Sequence, residues 1–355
     1  MARKQANGRK SAVPVTSSDL NSAIKPAPQP AELSERDRLA LKSWLDTNDK
    51  PFTIQVASKS LKRKRDADMQ LQTDLFEDRL NLKYQVRPRD KWECLRRYKK
   101  FTVGSESIAT GQCILVKHDE SDDAKIDVAA QWKAKVLEVR ALDSEHVYIR
   151  LAWLNRPEDL DGGRQPYHGR NELIPTNEMD IIDAMTVNGS LKVEHWNEED
   201  DDDAPIDDDI YFWRQTYDSA TTRKFSKIRN ICIDNKPQNP DEMILQCGNP
   251  ECRKWMHVKC IAETAVHKAA AAPADDANES VARKARPKNE GITAKSVVSS
   301  KMENEGFTAE VLIKSLPNGE GQTPAAETSE IVITTPDGQN YSAAVNCLLC
   351  GKEVD

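Results

Sequence analysis

Seven side chains after residue 230 of this 355-residue chain have the chemistry of a metal centre: Cys232, Cys247, Cys252, His257, Cys260, Cys347 and Cys350. Six of them form close pairs, Cys247-x4-Cys252, His257-x2-Cys260 and Cys347-x2-Cys350. One such pair offers two ligands from a single turn, and two pairs complete the tetrahedron that Zn2+ prefers. The first residues (MARKQANGRK) lack the apolar stretch of a signal peptide, so an intracellular chain is expected. There, clustered cysteines favour metal over disulfides. Thiolate-rich sites are closed and structural, and no H-x-E or HExxH arrangement lies nearby to make the zinc catalytic. With no nucleophile–base pair and no phosphate loop either, the chain does not read as an enzyme. Cys94 and Cys113 stand alone in apolar surroundings and read as core thiols.

The second chemically loaded group is aromatic. The runs QWKAKVLEV (131–139) and HVYIRLAW (146–153) flank a turn-like segment, Ala141–Ser144. Folded about the midpoint between Leu142 and Asp143, they form a hairpin in which Trp132 and Trp153 face each other directly. Ala134, Val136, Val147, Ile149 and Leu151 share their face. Lys133, Lys135, His146 and Arg150 lie on the other, with Leu137 and Tyr148. Facing indoles at a barrel end are either core residues or walls of a cage for a methylated ammonium, held by cation–π attraction.

The elements that must position these groups follow from composition and periodicity. Hydrophobic residues make up 38% of the chain and charged residues 31%, which implies a modest core and sizeable disordered stretches. Residues 1–33 read as disordered. Residues 34–83 read as a short helix capped by Ser34, followed by a basic linker whose run Lys62–Arg65 is either an import signal or a solvated segment. From 84 to 220, short β-type runs such as QCILVK and DIYFWRQTY predict a small barrel or sandwich. Glu198–Asp209, with nine carboxylates, is an exposed loop that keeps the chain soluble or steers a basic tail. Residues 262–305 read as a disordered insert, and FTAEVLIKSL (307–316) with EIVITTPDG (330–338) as a hairpin. No apolar run is long enough to span a bilayer. The net charge of −7 disfavours a phosphate-backbone binder and suits a basic partner, of which histone tails are the obvious nuclear example.

Two resemblances bring these readings together. Tyr98-Lys99-Lys100-Phe101, WLNRPED (153–159), GGRQPYHGRNEL (162–173) and DIYFWRQTYD (209–218) resemble a BAH domain. The order Cys…CxxxxC…WxHxxC…CxxC, with Trp255 before His257, resembles a PHD finger. Together they are similar to plant and fungal BAH–PHD readers of Polycomb-type methyl-lysine, over about half the chain. The resemblance implies a mostly β fold: a BAH barrel with short helices at 84–220, and a zinc-stabilised PHD-like finger at 221–261 with 306–355.

In the PHD family the ligand pairs interleave. Cys247, Cys252, Cys347 and Cys350 then make one zinc site, and Cys232, Asp234, His257 and Cys260 the other. Asp234 stands where that family has a cysteine, so it either ligates or leaves its site degenerate, and one or two Zn2+ are expected. The long insert is tolerable, because loop closure costs roughly 0.6 kcal/mol per doubling of length. Structural zinc contributes about 10–16 kcal/mol. The BAH readers' cage maps to Trp132, Trp153 and Asn155, the last a departure from an aromatic wall for which Tyr98 or Tyr167 are candidate substitutes. Trp255 has no aromatic partner between Cys232 and Cys247 and reads as structural.

The resemblance implies a nuclear chromatin reader or adaptor for methylated histone tails or nucleosomes in gene repression, joined by other chromatin-complex proteins. It implies no membrane and no sequence-specific DNA binding. The alternatives are a scaffold that reads no mark and a nucleic-acid binder using the basic segments, whose binding modest salt would abolish.

Overall fold

The computed structural model describes residues 33–57, 69–77, 80–118, 127–200, 207, 209–271, 302–304, 306–315 and 327–354. Residues 1–32, the basic run Lys62–Arg65, most of the acidic segment and most of the expected insert lie outside the described residues. The fold is mostly β.

Helix α1 (Glu35–Asp46) begins at Ser34, whose hydroxyl accepts from the Asp37 amide at 3.2 Å, and it buries Leu41 and Leu45. Strands β1 (Thr53–Val56), β2 (Gln70–Gln72) and β3 (Leu82–Arg87) then pair antiparallel in the order β1-β3-β2. Strands β1 and β2 lie within 34–83, where the sequence predicts only a helix and a linker. Alternate burial of Leu82, Tyr84 and Val86 builds β3, since a period of two puts all three on one face.

After α2 (Arg89–Cys94) come β4 (Arg96–Tyr98), the hairpin β5 (Lys100–Val103) and β6 (Glu106–Ala109), and then β7 (Cys113–Val116). The long strands β8 (Trp132–Ala141), β9 (Val147–Asn155) and β10 (Ile174–Asp183) follow. Next are β11 (Val187–Leu191), β12 (Val193–His195), β13 (Tyr211–Trp213), β14 (Tyr217–Asp218) and β15 (Lys224–Phe225). The main sheet runs β11-β7-β8-β9-β10-β14-β15, with β4 also on β8.

The β8–β9 hairpin is packed on both faces. Ala134, Val136, Ile149 and Leu151 join Phe101, Ile108 and Ile114 in the barrel core. The opposite face meets α1 and the N-terminal sheet through Tyr148, Ala152, Phe52 and Trp92. Lys133, His146 and Arg150 on that face are buried, so each must be paired. Arg150 donates to Glu138 at 3.1 Å and Gln72 at 2.6 Å, and lies 4.7 Å over the Tyr84 ring. Burial opposes the Glu138 charge, but Arg150 and Arg140 outweigh it and hold the carboxyl below its usual range.

The hairpin register differs from expectation. Asp143 accepts from the amides of Glu145 and His146, both at 3.0 Å, and builds a longer turn that pairs Ala141 with Val147. The turn therefore centres on Ser144. A bulge between Val136 and Glu138 shifts the register again, and Trp153 stands opposite Ala134. Trp132 and Trp153 are diagonal neighbours, not a direct pair.

The C-terminal unit comprises β16 (Asn230–Ile231), β17 (Lys236–Pro237), β18 (Ile244–Gln246) and β19 (Trp255–His257). It continues with α3 (Val258–Ala271), β20 (Met302–Asn304), β21 (Phe307–Ser315), β22 (Glu327–Thr334) and β23 (Asn340–Ala344). Strands β20 to β23 form one sheet in sequence order. Residues 262–271, expected to be disordered, are helical. Val258, Ile261, Ala262, Ala265 and Val266 repeat at helical spacing and pack on Ala309, Val311, Ile331 and Ile333.

One buried guanidinium joins barrel and C-terminal unit. Arg214 contacts Glu172 at 3.1 Å and Glu198 at 2.7 Å, and donates to the carbonyls of Tyr167 at 2.7 Å and Gln238 at 2.8 Å. Glu198 is thus a buried partner, not part of a solvated loop. Around it, the Arg170 amide donates to Asp241 at 2.6 Å and Asn239 to the Pro166 carbonyl at 2.8 Å. A Cβ on Gly169 would meet the Phe212 side chain at 3.1 Å and that of Pro240 at 3.2 Å, so any larger residue there requires these rings to shift by a few tenths of an ångström.

Arg214→Leu leaves Glu172 and Glu198 without the cation between them and is expected to destabilise the protein by about 3–5 kcal/mol in urea unfolding. A loss below about 1 kcal/mol would mean that the joint is dispensable.

Two buried histidines are expected to titrate on opposite sides of the ordinary value of 6.5. Burial, with Arg214 nearby, lowers His168, so its stabilising contribution is lost as pH falls below 6.5. Burial also opposes charge on His146. Its bonds to Asp143 at 2.8 Å and Asp46 at 2.9 Å prevail and raise it, so its contribution is lost as pH rises through that higher value. Imidazole resonances followed by NMR check both directions, and the reverse order would refute the pairing.

Candidate metal centres and aromatic surface

Four sulfurs converge where β18, β19 and the chain end meet. Cys247, Cys252, Cys347 and Cys350 place their ligand atoms within 4.8 Å of one another. The Cys247–Cys350 and Cys252–Cys347 sulfur distances are 3.7 and 3.8 Å. A zinc tetrahedron with bonds of about 2.3 Å has sulfur–sulfur edges of about 3.8 Å, so the residues fit the ion. Two short turns shape the set: the Cys252 amide donates to the Asn249 carbonyl at 2.8 Å, and the Gly351 amide to the Cys347 carbonyl at 2.9 Å. Gly351 has φ +76, a conformation that glycine adopts without strain. Burial pushes the Cys247 thiol up to about 12, while a hydrogen bond from the Lys352 main chain brings Cys350 down to about 6. The set is one in which a cation replaces protons.

Cys232, Asp234, His257 and Cys260 form a second set, also within 4.8 Å. The Cys260 sulfur lies 3.7 Å from His257 Nδ1, and Asp234 Oδ1 lies 3.2 Å from the same nitrogen. Tetrahedral edges between zinc ligands of these types are about 3.4–3.6 Å. Asp234 Oδ1 is buried and receives no hydrogen bond in the described residues, which leaves a lone pair for a cation. The His257 ring also bonds the Pro237 main chain, which orients the imidazole from behind the site. An aspartate supplies the same negative charge as a thiolate would. Cys94 and Cys113 take part in neither set. Both are half-buried, and burial raises Cys113 to about 11.

The aromatic surface lies on the barrel. Trp132 is 36% exposed, and its ring lies 6.4 Å from that of Trp153, inclined at 64°. The pair forms two steeply inclined walls, with Trp153 half-buried against the barrel core. Asn155 ends β9 opposite Ile174 and is half-buried. His118, which the sequence reading did not single out, stacks on Trp132 at 5.4 Å and 16°. Only pairing β7 with β8, which brings Val116 opposite Trp132, reveals that neighbour. The Lys133 ammonium is capped by the carbonyls of Val128, Ala129 and Gln131 at 2.7, 3.1 and 2.9 Å, tying down the segment that delivers Trp132. Tyr98 pairs with Val139, seven residues along the strand from Trp132, and Tyr167 packs on His168 at 4.5 Å. Seven residues span about 23 Å, so Tyr98 is no third wall.

A family profile of the BAH domain matches residues 106–229. The chain is 31% identical over 172 residues to chromatin remodeling protein SHL of Arabidopsis thaliana, covering 48% of this chain and 71% of that relative. It is 29% identical over 160 residues to chromatin remodeling protein EBS of the same plant, covering 44% of this chain and 64% of the relative. Among solved structures, the yeast Rsc2 BAH domain matches at a TM-score of 0.27 and 16% identity, over 37% of this chain and 54% of that one. The chain belongs to the BAH-domain family. The matched residues end just before Cys232, so both metal sets lie outside them.

Native mass spectrometry is expected to find two zinc ions, with Cys347→Ser and Asp234→Ala each losing one. Finding none, or a single ion unaffected by Asp234→Ala, would contradict these ligand sets. Deleting residues 275–298, beyond the end of α3, is expected to leave the metal count unchanged.

Proposed function

We propose that this BAH-domain protein acts on chromatin in the nucleus as a reader or adaptor, docking its barrel on a histone tail. In this reading the C-terminal unit is a PHD-like finger that holds two structural zinc ions and extends the docking surface. The observation that carries it is the exposed Trp132 ring set at 64° to Trp153, since two inclined indole faces can bracket a methylated ammonium. Both curated relatives bear the name chromatin remodeling protein, and the tightly tied joint at Arg214 fits a two-module unit that presents one rigid surface.

A second reading has its own observation. Asn155 supplies no third aromatic wall, and His118 covers one face of Trp132. A scaffold that binds chromatin-complex proteins without reading a mark fits those facts. One missing cation–π wall is worth roughly 0.5–2 kcal/mol, which leaves weakened reading as the reader hypothesis's own expectation.

Arrays of modified histone peptides would find the preferred site, and calorimetry would then compare trimethylated and unmodified peptides. Trp153→Ala is expected to abolish the discrimination while leaving the zinc content intact. Asn155→Tyr is expected to strengthen the methylated complex by roughly 0.5–2 kcal/mol. Equal affinity for both peptides, in wild type and Asn155→Tyr alike, would favour the scaffold.

A further inference from the structure

The barrel has a second surface with the features of a binding site, and neither Trp132 nor Trp153 lines it. A groove of about 740 Å³ runs between β5, the β8–β9 turn and the short turn Ala184–Thr186. Its apolar lining includes Phe101, Val139, Val147 and Val187, all part of or packed against the barrel core. Met185, at 79% exposure, stands on its rim.

The main chain of β5 borders this groove with an open edge. In the β5–β6 hairpin, Val103 pairs with Glu106 and Phe101 with Ile108, while the Thr110 amide donates to the Lys99 carbonyl at 3.0 Å. Antiparallel alternation then directs the N–H and C=O groups of Phe101 and Val103 toward β6. Those of Lys100 and Thr102 point away from it, and among the described residues no second strand pairs with β5. Every residue of β5 lines the groove, from Lys100 to Val103. Alternate side chains point to opposite faces, so a groove that touches all four follows the strand's edge rather than one face.

The charges at the rim choose the occupant. Two of its acids have cationic partners: Glu145 meets Lys42 at 2.9 Å, and Asp143 meets the same ammonium at 3.9 Å and the His146 ring at 2.8 Å. Asp183 accepts from the Met185 amide at 2.8 Å, which leaves its charge in place. Arg38, Lys100 and Lys117 also line the groove, and among the described residues neither Arg38 nor Lys100 has an anionic partner. Two unpaired cations against one uncompensated carboxylate leave a positive excess, although the chain as a whole carries −7.

We propose that this groove binds an extended acidic-apolar peptide segment of a partner protein, added as a strand to the free edge of β5. Main-chain groups of Lys100 and Thr102 hydrogen-bond the peptide backbone, and alternate apolar side chains enter the groove. Arg38 and Lys100 meet the flanking carboxylates. Such a partner is opposite in charge to a histone tail, so the surface gives an adaptor a second, chemically distinct contact. The inference stands on the groove and strand edge alone and does not rest on methyl-lysine reading.

The test uses the full chain and two fluorescein-labelled nine-residue peptides, one alternating leucine or valine with glutamate, the other with lysine in place of glutamate. Fluorescence anisotropy is expected to show at least tenfold tighter binding of the acidic peptide. Arg38→Glu combined with Lys100→Glu is expected to reverse that preference. Thr102→Pro, which removes an outward amide, is expected to weaken binding at least tenfold. NMR is expected to place the largest amide shifts at Lys100 and Thr102, a readout that holds even if Thr102→Pro fails to fold. The proposal is overturned by binding to neither peptide, by preference for the basic one, or by insensitivity to the charge reversal. Light scattering that shows a concentration-dependent dimer competing with the peptide would assign the edge to a second copy and overturn it too.

Discussion

The Arg214 guanidinium sets the condition on which the rest of the molecule is built. Its ion-pair partners Glu172 and Glu198 and its carbonyl partners at Tyr167 and Gln238 come from three separate stretches of chain. A buried cation tolerates no loose partner, because each unmade contact leaves charge in a low-dielectric interior. Glu172 in turn accepts from the Gly169 amide at 2.9 Å, and His168 faces Gln215 at 3.3 Å. The GGRQPYHGRNEL and DIYFWRQTYD segments are therefore two halves of one network. The C-terminal unit enters that network through residues 238–241, next to the Pro237 main chain that bonds His257. The second metal set and the barrel are thus only a few residues apart along one strap.

The C-terminal unit draws its order from an apolar cluster. Cys247 and Cys347 sit in it with Met256, Ile261 and Val345, so the candidate metal ligands and the hydrophobic packing share the same ground. Helix α3 and the four-stranded sheet enlarge that cluster. They also explain how candidate ligands 87 positions apart, Cys260 and Cys347, belong to one unit. The intervening chain returns through β22 and β23 to the place it left, so part of the loop-closure cost is met by packing.

What the sequence made legible depended on how local the determinant was. Ligand chemistry is residue-specific and tight pairs keep their spacing, so the three close pairs were legible in the residues, whereas the grouping of Cys247 and Cys252 with Cys347 and Cys350 followed only from the resemblance to a PHD finger. Asp234 was visible as a departure, but its orphaned oxygen was not. The hairpin was legible and its register was not: Asp143 moved the turn centre to Ser144 and a bulge beyond Val136 moved it again. Alanine-rich α3 was missed because small apolar residues give a weak pattern until a sheet is there to receive them. Strands β1 and β2 were missed for a similar reason, since each is short and only their pairing with β3 makes a face. His118 beside Trp132 depends on a strand pairing that no local signal announces.

In the proposed reading the barrel engages a basic tail through shape and aromatic contact, not through phosphate. Binding to reconstituted nucleosomes across a salt series decides between the two, with trimethylated and unmodified particles in parallel. The expected result is a higher affinity for one trimethylated particle, maintained from low to physiological salt. Equal affinity for all particles, falling steeply with salt as counterions are released, would mark a nucleic-acid binder and contradict the claim.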